Sequence, residues 1–160
     1  MEERKKRIYT KEQALSKATD YCAYQERCQQ EVRDKLYYWG LHKDNVESMI
    51  AHLISEGYIN EERFAITFAG GKFRIKKWGK NKIINELKHR NISKYCINKA
   101  LKEIDSSEYI KSLQQIIQKK SKEIKEKNTY KKANKIALYC ISRGYESEMV
   151  WDILKCKFEE

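Results

Sequence analysis

The fold is decided by Val32-Arg-Asp-Lys-Leu-Tyr-Tyr-Trp-Gly-Leu41, a pattern of apolar residues around one turn residue that recurs twice more in the chain. The turn residue is Gly40 in this copy, Asn91 in the second and Gly144 in the third, at steps of 51 and 53 residues. In every copy, apolar residues stand eight and four residues before the turn and one, six and ten residues after it: Val32, Ile83, Ile136; Leu36, Leu87, Cys140; Leu41, Ile92, Tyr145; Val46, Ile97, Val150; Ile50, Leu101, Leu154. Such self-similarity indicates a tandem repeat of roughly fifty residues.

Helices are the predicted secondary structure throughout. Apolar residues recur at three and four positions, no convincing period-two segment appears, and the chain of 160 residues has no proline and only 6 glycines. This spacing predicts nine helices near 10–26, 29–39, 44–56, 60–77, 80–90, 94–104, 107–127, 131–143 and 147–158. Grouped by the repeat, they predict an all-α fold of three tandem three-helix repeats in an elongated, curved array.

The predicted organisation is a basic N-terminal tail (1–9) followed by unit 1 (10–57), unit 2 (58–104) and unit 3 (105–160). Thr10, Asn60 and Ser93 are expected to cap helices, and the turn residue Asn91 is the non-glycine that tolerates a left-handed conformation best. The first helices of units 1 and 2 keep register through the pairs Leu15 and Ile66, Ala18 and Ala69, and Cys22 and Phe73. Unit 3 has a longer, lysine-rich first helix and aligns less cleanly.

Charge indicates the class of partner. The net charge is +11 and the isoelectric point is near 9.3, which favours an anionic partner: nucleic acid, an acidic protein surface or anionic lipid. No uncharged run approaches the roughly 18 residues that span a bilayer, and no apolar stretch follows the start Met1-Glu-Glu-Arg-Lys-Lys-Arg7. A cytoplasmic protein without a membrane segment is expected.

The positive charge is concentrated in one segment, Lys72 to Arg90, which we call the basic ridge. Eight basic residues in it face Glu86 alone, for a net charge of +7: Lys72, Arg74, Lys76, Lys77, Lys80, Lys82, Lys88 and Arg90. A surface that meets phosphates is the functional interpretation, and a lysine-rich solvated face is the alternative. A second basic run, Lys119 to Lys132, interleaves lysines with glutamates and is interpreted as a helix stabilised by local ion pairs.

Residues with catalytic or ligand-binding chemistry form no recognisable constellation. The histidines His42, His52 and His89 are far apart, and the pair Gly70-Gly71 is not a phosphate loop. The five cysteines have no CxxC spacing, so reduced and partly buried thiols are expected rather than a zinc site. The sequence predicts a protein that is not an enzyme and needs no cofactor or metal. For Trp78 and Tyr58, packing between repeats is favoured over the alternative of base stacking.

Three stretches resemble the RecX family, regulators of the RecA recombinase. Arg27-Cys-Gln-Gln-Glu-Val-Arg-Asp-Lys-Leu36 is similar to the pattern R-x-x-x-[EQ]-[LV]-x-x-K-L. Leu53-Ile-Ser-Glu-Gly-Tyr-Ile-Asn-Glu-Glu-Arg-Phe-Ala65 is similar to L-x-x-x-G-[YF]-[IL]-[DN]-[DE]-x-R-[FY]-A. Trp78-Gly-Lys-Asn-Lys-Ile-Ile-Asn-Glu-Leu87 is similar to G-x-x-[KR]-I-x-x-[EQ]-L after its tryptophan. The family-motif residues carried over are Arg27, Glu31, Lys35, Gly57, Arg63, Gly79 and Glu86.

The resemblance implies a regulator of DNA repair and recombination, within the SOS response, that binds the filament of RecA on single-stranded DNA and mainly inhibits it. It implies the RecA filament and single-stranded, or also double-stranded, DNA as partners of a monomeric protein. The sequence departs from the family pattern at Asn91, where the family has a turn glycine, and at Gly70-Gly71, where helix-forming residues are expected and a kink is the expectation. The alternative is a stand-alone DNA-binding helical-repeat protein, which the net charge alone would suffice to explain.

Overall fold

The computed structural model describes residues 8–158, so residues 1–7 of the predicted basic tail lie outside the described residues. Within 8–158 the chain forms nine α-helices and no strand. The helices are α1 Lys11–Tyr24, α2 Gln29–Tyr38, α3 Lys43–Ser55, α4 Glu61–Lys76, α5 Lys80–His89, α6 Lys94–Lys102, α7 Ser106–Glu123, α8 Thr129–Ser142 and α9 Ser147–Phe158. The predicted all-α fold is confirmed, and the largest error in a boundary is the end of α7, which was expected at residue 127.

Local signals place the helix ends. Thr10, Asn60 and Ser93 each accept a hydrogen bond from the backbone N–H three residues further on, as predicted for caps. Gly40 and Gly144 adopt φ values of 90° and 100°, and Asn91 stands at the equivalent turn with φ 57°. A left-handed residue therefore ends the second helix of every unit, and the replacement of glycine by asparagine keeps the turn.

The apolar residues that define the repeat form the core. The side chains at the repeated apolar positions are buried in all three units, except that Leu101 is only partly buried. Ala18 and Ala69 in the first helices, which were expected to share a register, are also both buried. α4 runs without interruption through Gly70-Gly71, so helical structure continues where a kink was expected.

The three units bury their apolar side chains in two cores rather than three. Unit 1 has its own core of helices α1 to α3, which includes Ala14, Val32, Leu36, Ile50 and Leu53. Units 2 and 3 share a second core, which runs from Phe64 on α4 to Leu154 on α9. Cys28, between α1 and α2, is the member of the second core that unit 1 contributes among the described residues. Units 2 and 3 are therefore joined by burial, and unit 1 is attached to them mainly through its α1–α2 connection.

Two glycines bring the backbones of units 2 and 3 into contact. Gly79 donates its N–H to the Arg143 carbonyl at 2.8 Å, and the Asn81 N–H donates to the Gly144 carbonyl at 2.9 Å. A Cβ on Gly79 would overlap backbone atoms of Gly144 and Tyr145, so only glycine fits this approach. The turn before α5 is thereby fastened to the turn between α8 and α9. We call this contact the glycine joint.

A row of aromatic rings continues the glycine joint into the shared core. The Phe73 and Tyr109 ring centroids are 5.7 Å apart, and those of Tyr109 and Tyr145 are 5.1 Å apart. The Tyr109 hydroxyl accepts from the Lys80 N–H at 2.9 Å and donates to Glu146 at 2.8 Å. Burial raises the pKa of this hydroxyl, so it keeps its proton and the hydrogen bond to Glu146 at neutral pH.

Unit 3 departs from the repeat by one helical turn. α8 begins 15 residues before its turn residue Gly144, whereas α2 and α5 begin 11 residues before Gly40 and Asn91. The four additional residues are about one turn of α-helix. They displace α7 along the chain, which explains why the first helix of unit 3 did not align with those of units 1 and 2.

The contacts between units follow the order of the units in the chain. Unit 2 meets unit 1 through Arg63 with Glu26 and Arg90 with Glu31, and it meets unit 3 through the glycine joint.

Candidate nucleic-acid interface

The basic ridge begins on the last turns of α4 and continues into α5, with Trp78 between the two helices. The ammonium groups of Lys72 and Lys82 lie 5.0 and 4.6 Å from the Trp78 ring centroid, and the Phe68 ring meets Trp78 edge-on at 6.3 Å. Trp78 is partly buried against the core of units 2 and 3. The ring therefore lies between two lysines of the ridge that are ten residues apart in sequence. These neighbours belong to unit 2, so the expected packing of Trp78 between repeats stays a prediction.

The other ridge residues are placed in two ways. Arg74, Lys76, Lys77 and Lys88 are exposed, with no ion pair to any described residue. Lys80 is partly buried, and its ammonium lies 4.8 Å from the centroid of the Tyr109 ring. The structure thus divides the ridge: Arg74 and Lys77 border recesses that they share with α7, whereas Lys72 and Lys82 meet around Trp78.

Arg90 differs from the rest of the ridge because it is already paired. It donates to Glu86 at 3.0 Å, lies 3.6 Å from Glu31 of unit 1, and stacks its guanidinium over Phe68 at 4.7 Å. Beside it, the Asn91 amide donates to Gln30 at 3.3 Å. Arg90 therefore connects unit 1 to unit 2, together with Glu31 and Glu86 from the family motifs.

The remaining family-motif residues also hold the chain together. Arg63 donates to Glu26 at 2.5 Å and to the Gly57 carbonyl at 2.9 Å, which links α4 to the end of unit 1. Gly57 itself has a φ of 78°.

Around the α1–α2 connection, Arg27 donates to the Tyr21 carbonyl at 3.2 Å, and its guanidinium lies 3.8 Å from the Tyr21 ring centroid. The Lys35 ammonium lies 5.6 Å from the same centroid. Gly79 belongs to the glycine joint. The family-motif residues therefore stabilise turns and the contacts between units, and their sequence pattern did not indicate this structural role.

Comparison with known proteins gives the family. Three consecutive matches cover most of the chain: RecX, first three-helix domain, at residues 14–53; RecX, second three-helix domain, at 60–101; and RecX, third three-helix domain, at 107–154. The chain belongs to the RecX family. Each match lies within one of the three units of the repeat.

Curated relatives carry the name Regulatory protein RecX. The chain is 30% identical over 131 residues to the one from Clostridium botulinum (strain Eklund 17B / Type B), covering 81% of this chain and 61% of the relative. It is 28% identical over 137 residues to the one from Lactobacillus johnsonii, covering 85% of this chain and 50% of the relative. The chain thus spans about half to three fifths of the length of these relatives.

A solved structure supports the RecX fold. The crystal structure of RecX from Lactobacillus salivarius matches with a TM-score of 0.81 and 21% identity, covering 91% of this chain and 94% of that chain. A second structure, titled as that of regulatory protein RecX, matches with a TM-score of 0.79 and 18% identity, over 91% of this chain and 73% of that one. Both structures support the all-α fold of three-helix repeats.

Two buried cysteines of this RecX family member, Cys28 and Cys140, are unsuited to nucleophilic chemistry at neutral pH. Cys22, Cys28, Cys96 and Cys140 are buried free thiols, and Cys156 is exposed. Burial raises the pKa of the Cys140 thiol to about 11 and also raises that of Cys28, so both stay protonated at neutral pH. Over residues 8–158, no group of histidine, cysteine and acidic side chains is arranged to hold a metal ion. None of the helices in this range is long and apolar enough to cross a membrane.

Sequence reasoning missed one basic residue beside the ridge. Arg143, 67 residues after Lys76, donates from its guanidinium to the Lys76 carbonyl. The contact arises because the glycine joint carries the end of α8 to the end of α4. The spacing of the ridge residues did not indicate that Arg143 lies beside them. The repeat alignment showed that the turn at Gly144 is equivalent to the turn at Asn91, but an alignment of units does not show which units touch.

Proposed function

We propose that this protein binds the filament of RecA on single-stranded DNA and restrains recombination, as a monomer in the cytoplasm. The observation that carries the proposal is the basic ridge, displayed by α4 and α5 of a RecX-family chain whose units stand in a row. A filament of protein and DNA offers phosphates and acidic side chains at a regular spacing. An elongated chain with a charged face matches such a target better than a globular partner does.

The proposed mechanism is a shift in population. A regulator that contacts more than one RecA protomer favours the arrangement of protomers that fits its own fixed spacing. If that arrangement differs from the active one, ATP hydrolysis and strand exchange slow. The ridge supplies the electrostatic attraction, and the joints between units set the spacing of the contacts.

The decisive experiment measures the DNA-dependent ATPase and strand exchange of RecA with this protein added at a low molar ratio to RecA. We expect both activities to fall, and the fall to deepen with concentration. Unchanged rates in both assays, at concentrations that coat the filament, would refute the proposal.

A matched pair of variants tests the ridge itself. Lys76→Gln and Lys88→Gln together remove two exposed charges that form no ion pair among the described residues. Lys94→Gln with Lys102→Gln removes exposed charges from α6 as a control. The ridge variant should lose inhibition and the control should keep it; equal inhibition by both would show that the ridge does not meet the filament.

The alternative is a stand-alone DNA-binding protein, which the net charge of +11 favours. It requires tight binding to naked DNA with a salt slope of about −0.7 to −0.9 for each phosphate contacted. Fluorescence anisotropy with a labelled oligonucleotide, with and without RecA, separates the two functions. Tight binding to naked DNA that RecA does not improve would support the alternative, and binding that is weak until the filament is present would count against it.

A further inference from the structure

A cavity that takes one residue of the ridge, Lys77, lies between α7, α8 and the end of α4. Its volume is about 270 Å³, and its charged lining consists of Lys77 from unit 2 and Lys119, Lys120 and Arg143 from unit 3. The uncharged residues Ser112, Gln115, Ile116 and Tyr139 complete the wall. Among the described residues, no carboxylate lines this cavity. Four cations therefore converge on one recess, although they come from three places in the sequence.

The backbone holds two of these cations in place. Lys77 ends α4 in a left-handed conformation with φ 57°, and its carbonyl accepts from the Tyr145 hydroxyl at 3.0 Å. Arg143 ends α8 and donates from one guanidinium nitrogen to the Lys76 carbonyl. Because a guanidinium has five N–H donors, most of the Arg143 donors remain for another acceptor. The glycine joint thus positions one cation from each unit at the mouth of the cavity.

The charges of the cavity are only partly balanced. Lys120 is paired with Glu123 at 2.8 Å, and its ammonium lies 4.1 Å from the centroid of the Tyr139 ring. Over residues 8–158, Lys77, Lys119 and Arg143 form no ion pair with any carboxylate. Clustered like charges repel one another, and a recess with protein walls concentrates their field. An anion in the recess would remove this repulsion.

The size of the cavity fits a phosphate group. A recess of about 270 Å³ has room for a phosphate group and for waters that bridge it to the walls. Guanidinium and ammonium groups are donors suited to phosphate oxygens, whereas the Ser112 hydroxyl is already hydrogen-bonded to Tyr145.

We propose that this cavity is a phosphate-binding site in which Lys77 of unit 2 and Lys119 and Arg143 of unit 3 hold one phosphate group. The bound group then bridges the two units and stabilises the glycine joint from outside. The phosphate can belong to a nucleic-acid backbone or to a free nucleotide. The site stands independently of the proposed effect on RecA, since it requires only these residues and an anion.

The first test uses pyrophosphate as the probe and the full chain. Melting temperature is measured by differential scanning calorimetry with and without pyrophosphate, at constant ionic strength set with chloride. A ligand that binds the folded state raises the melting temperature in a saturable way. Lys77→Asn with Lys119→Gln should abolish this rise, and Lys122→Gln, an exposed lysine on α7 outside the cavity, should keep it.

Asparagine is chosen at position 77 because it tolerates the left-handed conformation that Lys77 adopts. The readout is the shift that each variant shows with pyrophosphate, so a change in its starting stability does not obscure the result. No shift in the wild type, or the same shift in the double variant, would overturn the proposal.

The second test separates the two sources of phosphate. A fluorescent thymidine oligonucleotide and ATP are each titrated into the wild type, the double variant and Lys122→Gln. Because the double variant loses two charge-assisted hydrogen bonds, its affinity for the true ligand should fall by tenfold or more. The affinity of the control Lys122→Gln should stay at the wild-type value. If the double variant binds the oligonucleotide more weakly than the wild type does, and the oligonucleotide competes with pyrophosphate, the ligand is a nucleic-acid phosphate. If only the binding of ATP is weakened and only ATP competes with pyrophosphate, the ligand is a nucleotide. If neither ligand distinguishes the double variant from the control, the site is refuted.

Discussion

Replacing Gly79 by alanine should break the glycine joint. The added Cβ overlaps the backbone of Gly144 and Tyr145, and backbone atoms cannot rotate away as the end of a side chain can. The turn before α5 must therefore move back from unit 3. We expect Gly79→Ala to leave the helices formed and to separate the two turns that the joint connects.

The magnitude follows from the hydrogen bonds that this movement breaks. The N–H groups of Gly79, Lys80 and Asn81 donate to the Arg143 carbonyl, the Tyr109 hydroxyl and the Gly144 carbonyl at 2.8, 2.9 and 2.9 Å. At about 1 kcal/mol net for each bond, their loss lowers the free energy of unfolding by about 3 kcal/mol. That is a large fraction of the roughly 5–15 kcal/mol by which domains are stable.

The assay is urea unfolding followed by far-ultraviolet circular dichroism, with Gly71→Ala as the matched control. Gly71 is a helical residue of α4, and a Cβ there would meet no atom within 4 Å. Alanine should raise the free energy of unfolding there by about 1 kcal/mol, because it is the better helix former. The same substitution is thus expected to have opposite signs at positions eight residues apart. A loss below about 1 kcal/mol for Gly79→Ala would refute the close contact of the two backbones.

Three further predictions concern surface residues and the contact between units 1 and 2. A thiol reagent should label Cys156 alone in the native chain and all 5 cysteines after denaturation, by counting of labelled thiols, since the other four are buried; rapid labelling of more than one native thiol would contradict this. Arg33 donates to Glu47 and lowers the pKa of that carboxyl below its ordinary value of 4.5. Glu47→Gln should therefore lower stability at neutral pH, and the difference should vanish as the pH falls through the depressed pKa in acid unfolding curves. Arg63→Gln should cost about 1 kcal/mol by leaving Glu26 unpaired, and a double-mutant cycle with Glu26→Gln should show less coupling at high salt.

Most of the fold could be predicted because its signals are local. A cap such as Asn60 and a turn residue such as Asn91 act on neighbours within a few positions, so the sequence around them is sufficient. The repeated apolar positions added the grouping into units. The start of α8 was predicted two residues late, at residue 131 instead of Thr129, because an insertion inside a periodic helix leaves the period unchanged.

The candidate site could be predicted only where it is continuous in sequence. The basic ridge is one segment, and its charge was visible from composition alone. Lys119 was assigned to a helix with local ion pairs, an interpretation that holds for its neighbour Lys120 with Glu123. The cavity depends on the contact between Gly79 and Gly144, which are 65 residues apart. The sequence around either glycine does not indicate that the other lies against it.

The two connections between units differ in what holds them, and this affects how a salt titration is interpreted. The glycine joint consists of backbone hydrogen bonds and buried rings, which dissolved ions do not screen. Unit 1 is attached by the buried Cys28 and also by two partly exposed ion pairs, Arg63 with Glu26 and Arg90 with Glu31, which dissolved ions do screen. Raising the ionic strength therefore loosens unit 1 while it also weakens any contact with phosphates. A binding curve measured against salt concentration therefore reports both processes. The salt dependence that remains with an uncharged partner is the part that comes from the movement of unit 1.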